Sequence, residues 1–392
     1  MRIPRLVPLL VLTGLLSGLS AVAPRPAAAQ AERCFAETGV CVQGRFLDYW
    51  QQHGGLAVNG YPLGAERREL LEDGVEYTVQ YFERVRLEYH PEHAAPADVL
   101  LGQFGRRILR GAMYPAAPLP GQRFVPETGH NLGGEFLAYW EAHGGLAQFG
   151  LPLSEEIGAI LEDRGQYTVQ YFERARFEHH PEQADPAQRV QLGQFGRRIL
   201  AENALLGGAF GTLYRTDARV RDFLGPPRGR AAAVPGATQA FEHGRMLYFG
   251  GPFLDAQFSI IAEERRIYVL CGAEVAGLIV QDPDRRLPFF PDTWAEGQEP
   301  GGGAAPVPNL HMPRRGFGKV WREHPEVREC AGYARTADEQ ATTLTVQSFA
   351  EGLLVASSAD AGHFVYALYF RPSGKVSFST FYERYAVGPA AP

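Results

Sequence analysis

The chain has 392 residues, 45% of them hydrophobic, and sets 38 Lys+Arg against 44 Asp+Glu for a net charge of -6. That length suits two or three globular domains with buried cores. So small a charge, with its basic residues dispersed, argues against a nucleic-acid surface, and nearly every basic residue is arginine, Lys319 and Lys375 being the only lysines.

Arg2 and Arg5 precede an apolar run over residues 6–23, after which small residues take over. This is the pattern of a secretory signal peptide, assigned to residues 1–31, with cleavage fitting after Ala29 or after Ala31. An uncleaved membrane anchor is the alternative, but the run is short and no second long apolar run follows, so the mature chain is expected not to span a membrane. Four cysteines in an exported chain point to disulfides. Cys34 and Cys41 are near enough in sequence to close a small loop, and Cys271 and Cys330 then pair by elimination. No Cys-x-x-Cys spacing supports a metal site.

Within residues 32–112, Phe46, Leu47 and Trp50 place an apolar face on a short helix over 44–53, which Gly54-Gly55 ends. Gly60-Tyr61-Pro62 is a turn. Residues 77–82 alternate at strand period, a tight turn follows at 83–85, a return strand at 86–90 and a second helix at 101–109. Shifting the sequence by 90 residues superimposes Trp50 on Trp140, His53 on His143, Pro62 on Pro152 and Glu83 on Glu173. The stretch 77–84 recurs unchanged at 167–174, and 101–109 at 192–200, so residues 113–203 form a second unit.

The C-terminal half carries the same elements at looser spacing. Helices are expected over 213–225 and 320–332, each followed by a Gln-x-Phe strand, Gln239-Ala240-Phe241 and Gln347-Ser348-Phe349. The same tripeptide pattern occurs at Gln80 to Phe82 and Gln170 to Phe172. Two diverged units, 204–300 and 301–392, follow from this, with a link at 201–210, a Gly- and Pro-rich separator at 297–309, and extra strands at 266–270, 363–370 and 375–381. The expected fold class is α+β: tandem repeats of a short helix plus an antiparallel hairpin or small sheet, each unit sheltering its neighbours' apolar faces.

A helix ending in Trp, then Gly-Gly, a Gly-x-Pro turn, a strand ending in Phe and an aromatic return strand resembles the LGFP repeat of bacterial cell-wall-associated proteins. The matching positions are Trp50, Gly54, Gly55, Gly60, Pro62, Phe82, Tyr89 and Pro91. In the second unit they are Trp140, Gly144, Gly145, Gly150, Pro152, Phe172, His179 and Pro181. The C-terminal half matches in outline only, through Leu224-Gly225-Pro226 and Phe241-Glu242-His243-Gly244. The resemblance implies tethering to the cell envelope. The family tends to have glycine just after the strand Phe, where the first two units have Arg84-Val85 and Arg174-Ala175, which bears on any ligand site built at that turn.

Candidate contact residues come from the motif Phe-Glu-x-x-Arg, which supplies Glu83 and Arg86, Glu173 and Arg176, and Glu242 and Arg245; the fourth unit has Ala350 and Leu353 instead. An arginine fork oriented by glutamate suits a sugar hydroxyl or an acidic polymer, and the same pair also reads as a turn-spanning ion pair worth about 0–1 kcal/mol. Trp50, Trp140 and Trp321 sit on amphipathic stripes and belong to the core, whereas Trp294 lies in a loop and is a contact candidate, with filling a gap between modules as the safer account. Only His90 and His180 of the clustered histidines match between copies, which suits strand capping more than a metal. No cofactor, nucleophile elbow, zinc-protease helix or phosphate loop is present, so the chain is expected not to be an enzyme. The function that follows is an exported protein binding a cell-envelope glycan or another extracellular polysaccharide, linked weak sites gaining avidity. The alternatives are a structural or protein-interaction scaffold at the cell surface, and a cryptic extracellular hydrolase.

Overall fold

In the computed structural model, residues 31–109, 114–251, 265–271, 273–275, 278–280, 289–360, 364–373 and 377–386 are described. Residues 1–30 of the expected signal segment, and His363 and Lys375 at the starts of two expected strands, lie outside them. Strands β1 (Glu32–Phe35) and β2 (Val40–Gln43) form a hairpin closed by the Cys34–Cys41 disulfide. β2 runs into α1 (Gly44–Gln52), whose Phe46, Leu47, Tyr49 and Trp50 are buried. Gly54, at a φ of 78°, turns the chain into α2 (Gly55–Asn59). Trp50 Nε1 donates to Gly60 O (3.0 Å), fastening the helix pair to the turn after it.

An antiparallel meander follows, β3 (Arg67–Leu70), β4 (Glu76–Tyr81), β5 (Arg86–Tyr89) and β6 (Val99–Leu101), and α3 (Phe104–Ile108) closes the unit. Leu101, expected in that helix, is a strand residue because it pairs with Leu87 and is buried. Residues 113–203 have the same order of elements: β7 (Arg123–Val125), β8 (His130–Leu132), α4 (Gly134–Ala142), α5 (Gly145–Phe149), β9 (Ile157–Ile160), β10 (Gln166–Tyr171), β11 (Arg176–His179), β12 (Val190–Leu192) and α6 (Phe195–Asn203).

Two helices replace each single helix expected in the C-terminal half. α7 (Gly208–Thr216) gives way to α8 (Ala218–Leu224) at Asp217, whose carboxylate accepts from the N–H groups of Arg219 and Val220 as an N-cap. Strands β13 (Ala232–Phe241), β14 (Gly244–Phe249), β15 (Arg266–Cys271), β16 (Ala273–Val275), β17 (Leu278–Val280) and β18 (Phe290–Pro291) follow. Next come α9 (Arg315–Glu323) and α10 (Pro325–Ala331), divided at His324 because Pro325 lacks the N–H to continue α9. Strands β19 (Gln340–Phe349), β20 (Gly352–Ser357), β21 (Phe364–Ser373) and β22 (Ser377–Ala386) complete the chain. All the strands from β13 onward share one antiparallel sheet in the order β16-β17-β22-β21-β20-β19-β13-β14-β15-β18. The fold is α+β, and among the described residues no helix is long and apolar enough to cross a membrane.

The four Gln-x-Phe segments are held alike. Gln80 Nε2 donates to Gly64 O, Gln170 Nε2 to Ser154 O, Gln239 Nε2 to Thr336 O and Gln347 Nε2 to Gly229 O, all at 2.9–3.0 Å. Phe82 bridges Pro62 and Phe172 bridges Pro152, each within its own unit, whereas Phe241 bridges Ala334 and Phe349 bridges Pro227. In the C-terminal half, therefore, the helices and turn of one sequence segment dock on the hairpin of the other. The central pair β13–β19 has the matching symmetry: Pro235 lies opposite Thr343, its own counterpart at the offset that relates Gln239 to Gln347. The Cys271–Cys330 disulfide joins β15 to the end of α10 across the same exchange.

The first two units also exchange contacts reciprocally. Arg106 N–H donates to Glu173 O and Arg197 N–H to Glu83 O (3.2 and 3.1 Å), so α3 docks on the second unit's turn and α6 on the first's. Two glycines permit this approach: a Cβ on Gly105 would lie 1.6 Å from Phe172 O, and one on Gly196 1.9 Å from Phe82 O.

Candidate functional site

The Phe-Glu-x-x-Arg residues do not form turn-spanning pairs. Glu83 Oε2 accepts from Tyr61 N–H (3.2 Å), and Glu83 Oε1 pairs with Arg197 from the second unit (2.7 Å). Glu173 likewise accepts from Leu151 N–H (3.1 Å) and pairs with Arg106, and Glu242 accepts from Tyr333 N–H (2.7 Å). These glutamates clamp helix, turn and neighbouring unit together.

Arg86 and Arg176 are 2% and 3% exposed, which corrects the expectation that they face a ligand. The reason is strand geometry, since residues two apart share a face: Arg86 Nε donates to Glu88 (2.8 Å) and Arg176 Nε to Glu178 (2.9 Å), on the inner side. Arg86 also donates to Glu72 (2.7 Å) and Tyr81 Oη (3.3 Å) and lies over the Phe104 ring. Arg245, on β14, donates to Thr238 Oγ1 (2.9 Å). The three arginines lie in three different sheet environments and line no common groove. Trp294 is half-buried in the loop after β18; its N–H donates to Asp292 (3.2 Å), and its Nε1 is buried without a partner among the described residues.

Through Tyr81, which donates to Glu69, Arg86 stands behind a pocket of about 520 Å³ where the first sheet meets α6 and α7. Edge strand β3 forms one wall with Arg67, Arg68 and Glu69, and Glu76 of β4 stands beside it. Asn203, at the end of α6, and Thr212 and Arg215, on α7, form the opposite wall. The polar base is cross-linked. Glu69 Oε1 accepts from Tyr81 Oη (2.8 Å) and Asn203 Nδ2 (3.1 Å), Glu69 Oε2 accepts from Arg67 Nη2 (2.7 Å), and Asn203 Oδ1 accepts from buried Arg107 (2.7 Å). These bonds fix where the wall groups stand.

Arg215 is different. It is half-buried, its Nε is buried without a hydrogen-bond partner, and no ion pair reaches its guanidinium among the described residues. Gly211, one turn earlier, leaves room for it: a Cβ there would lie 3.2 Å from Nη2. Burial lowers the Arg215 pKa from its ordinary value, and Arg107 adds to the fall against the pull of Glu69 and Glu72. A charged fork that no carboxylate contacts directly among the described residues, on the wall of a cavity, can receive an oxyanion.

The second unit has no counterpart to this wall. Where β3 reads Arg-Arg-Glu-Leu, β9 reads Ile-Gly-Ala-Ile, and Ile160 is 76% exposed. That divergence, just ahead of the stretch 77–84 that recurs unchanged at 167–174, is the signal by which Arg67, Arg68 and Glu69 could have been found; Asn203, Thr212 and Arg215 carry no such mark.

Glu72 reports on the same network. Burial alone would raise its carboxyl, but Arg86, and Arg107 after it, hold it down at about 2 against an ordinary 4.5. A carboxyl lowered on folding contributes stability that is complete above the unfolded value and lost as pH falls through the folded one. Unfolding midpoints in urea are therefore expected to drop between pH 4.5 and 2, with a shallower slope across that window in Glu72→Gln. An equal slope in the variant would show that Glu72 is not held in this way.

No protein-family model, no curated protein and no solved structure matches the chain.

Proposed function

We propose that the protein is an exported, non-catalytic binding protein that captures an anionic glycan of the cell envelope or its surroundings in the pocket between β3, α6 and α7. The observation that carries this reading is Arg215, a half-buried cation with no ion pair or Nε partner among the described residues, on the wall of a cavity of about 520 Å³. A volume of that order is usual for small-molecule sites. Around Arg215 the wall sets donors (Arg67, Arg68) beside acceptors (Glu69, Glu76, and Oδ1 of Asn203, whose two amide hydrogens go to Glu69 and Tyr81), which suits a ring of hydroxyls carrying one acidic group. The signal-like N-terminus and the two disulfides favour an oxidising, extracellular setting. The LGFP-like pattern supports an envelope address. In this reading the duplication supplies the frame, and one copy carries the site.

Titration calorimetry with trigalacturonate and with maltotriose tests the reading. Trigalacturonate is expected to bind and maltotriose to bind far more weakly, with Arg215→Gln reducing trigalacturonate affinity by about 10- to 100-fold, the worth of one charge-assisted hydrogen bond. Equal binding of the two sugars, or an unchanged affinity in Arg215→Gln, would remove the pocket from the account.

A further inference from the structure

Directly after β5 the chain turns through His90-Pro91-Glu92-His93, with His93 N–H donating to His90 O (3.0 Å). The turn gathers three donor atoms, one ring nitrogen from each histidine and one Glu92 oxygen, all within 4.8 Å of one another. His90 is firmly placed. Its N–H donates to Asp98 O (2.8 Å), its ring packs on Tyr77 with centroids 4.0 Å apart, and it is 7% exposed. His90 Nδ1 faces Glu92 Oε1 at 2.8 Å, while Nε2 faces Glu88 Oε2 at 3.4 Å. Glu88 is itself held by Arg86. A carboxylate behind one ring nitrogen orients an imidazole and frees the other nitrogen's lone pair for a metal.

The second copy is an internal control. His180 packs on Tyr167 (4.3 Å), its Nδ1 faces Glu182 at 2.8 Å, and Gln183 N–H donates to His180 O (3.1 Å). The backbone turn and the His-Glu pair are the same, so those two features belong to the fold. What differs is the third position, Gln183 in place of His93.

We propose that the turn at residues 90–93 of the first unit binds a divalent transition metal, zinc by preference, through His90, Glu92 and His93. Two imidazoles and a carboxylate favour zinc and its neighbours over magnesium or calcium, which take oxygen ligands. Donors about 2.0–2.2 Å from zinc in a tetrahedron stand roughly 3.3 Å apart, so the His90–Glu92 gap of 2.8 Å must open slightly. The exposed Glu92 and His93 can make that adjustment by side-chain rotation. Three protein ligands leave the outward position to water or to a group on a bound partner.

The test uses the tag-free mature chain, dialysed against chelator and titrated with zinc chloride, with bound metal counted by mass spectrometry. One zinc per chain is expected. His93→Gln, at an exposed position, copies the second unit's turn and is expected to weaken binding at least about tenfold. Gln183→His copies the first and is expected to add a second zinc. No zinc on the wild-type chain, equal binding by His93→Gln, or no added zinc in Gln183→His would each overturn the assignment, with circular dichroism showing that the variants are folded.

Discussion

Arg86→Ala is expected to destabilise the chain by about 3–5 kcal/mol, the usual cost of removing one member of a buried ion network. The guanidinium is 2% exposed and stands against Glu88, Glu72 and, at 3.8 Å, Glu69. Truncation takes the arginine from Glu88 and Glu69, whose side chains are only 10% and 11% exposed, in a medium that solvates them poorly, and removes the atoms stacked on Phe104. The counterpart Arg176→Ala is expected to cost less. Its Glu162 partner is 64% exposed at the side chain and can turn to water, and Ala159 stands where the first unit has Glu69. Urea unfolding of the two variants side by side checks both the size and the order. A loss below about 1 kcal/mol for Arg86→Ala, the level of a surface pair, would mean that the network is solvated and that the pocket base is not fixed by it.

Gly105→Ala carries the second large effect. The added Cβ would fall 1.6 Å from Phe172 O, a main-chain atom in the turn that Phe172 N–H and Ala175 O already close at 2.8 Å. No rotamer change relieves a clash with backbone, so α3 must leave the second unit's turn. That gives up the Arg106 bonds to Glu173 and costs about 3 kcal/mol or more, the upper end for overpacking. Because the contact is reciprocal, Gly196→Ala is expected to act in the same way on the first unit's turn, where the Cβ would lie 1.9 Å from Phe82 O. Hydrogen exchange localises the change: the Arg106 amide loses protection in Gly105→Ala and the Arg197 amide in Gly196→Ala. Unchanged protection at both would contradict the reciprocal docking.

The helices that carry Trp50 and Trp140, the Gln-x-Phe strands and the Cys34–Cys41 disulfide could be read from the chain because local rules decide them: an apolar stripe, a period of two, a small ring of residues; Cys271–Cys330, 59 residues apart, followed only by elimination. Strands β1, β3, β7 and β9 could not. They are three or four residues long, and β3 is mostly charged on an outer edge, so no periodic signal develops. The Glu and Arg of Phe-Glu-x-x-Arg part for a physical reason. Closeness in sequence across a turn suggests a pair, yet strand alternation sends Arg86 inward beside Glu88 while Glu83 stays at the turn to cap Tyr61. The exchange that pairs Pro227 with Phe349 and Ala334 with Phe241 is a choice between nearly equivalent partners, which local sequence does not encode. The pocket needs three elements far apart in the chain, β3, α6 and α7, and only the first of them differs visibly from its copy.

The most direct measurement is a crystal structure of the chain with trigalacturonate bound. A carboxylate of the sugar is expected at hydrogen-bond distance, about 2.7–2.9 Å, from the Arg215 guanidinium, with its hydroxyls meeting Glu69 and Oδ1 of Asn203. An oligosaccharide seated on any other surface, with Arg215 untouched, would contradict the proposed site.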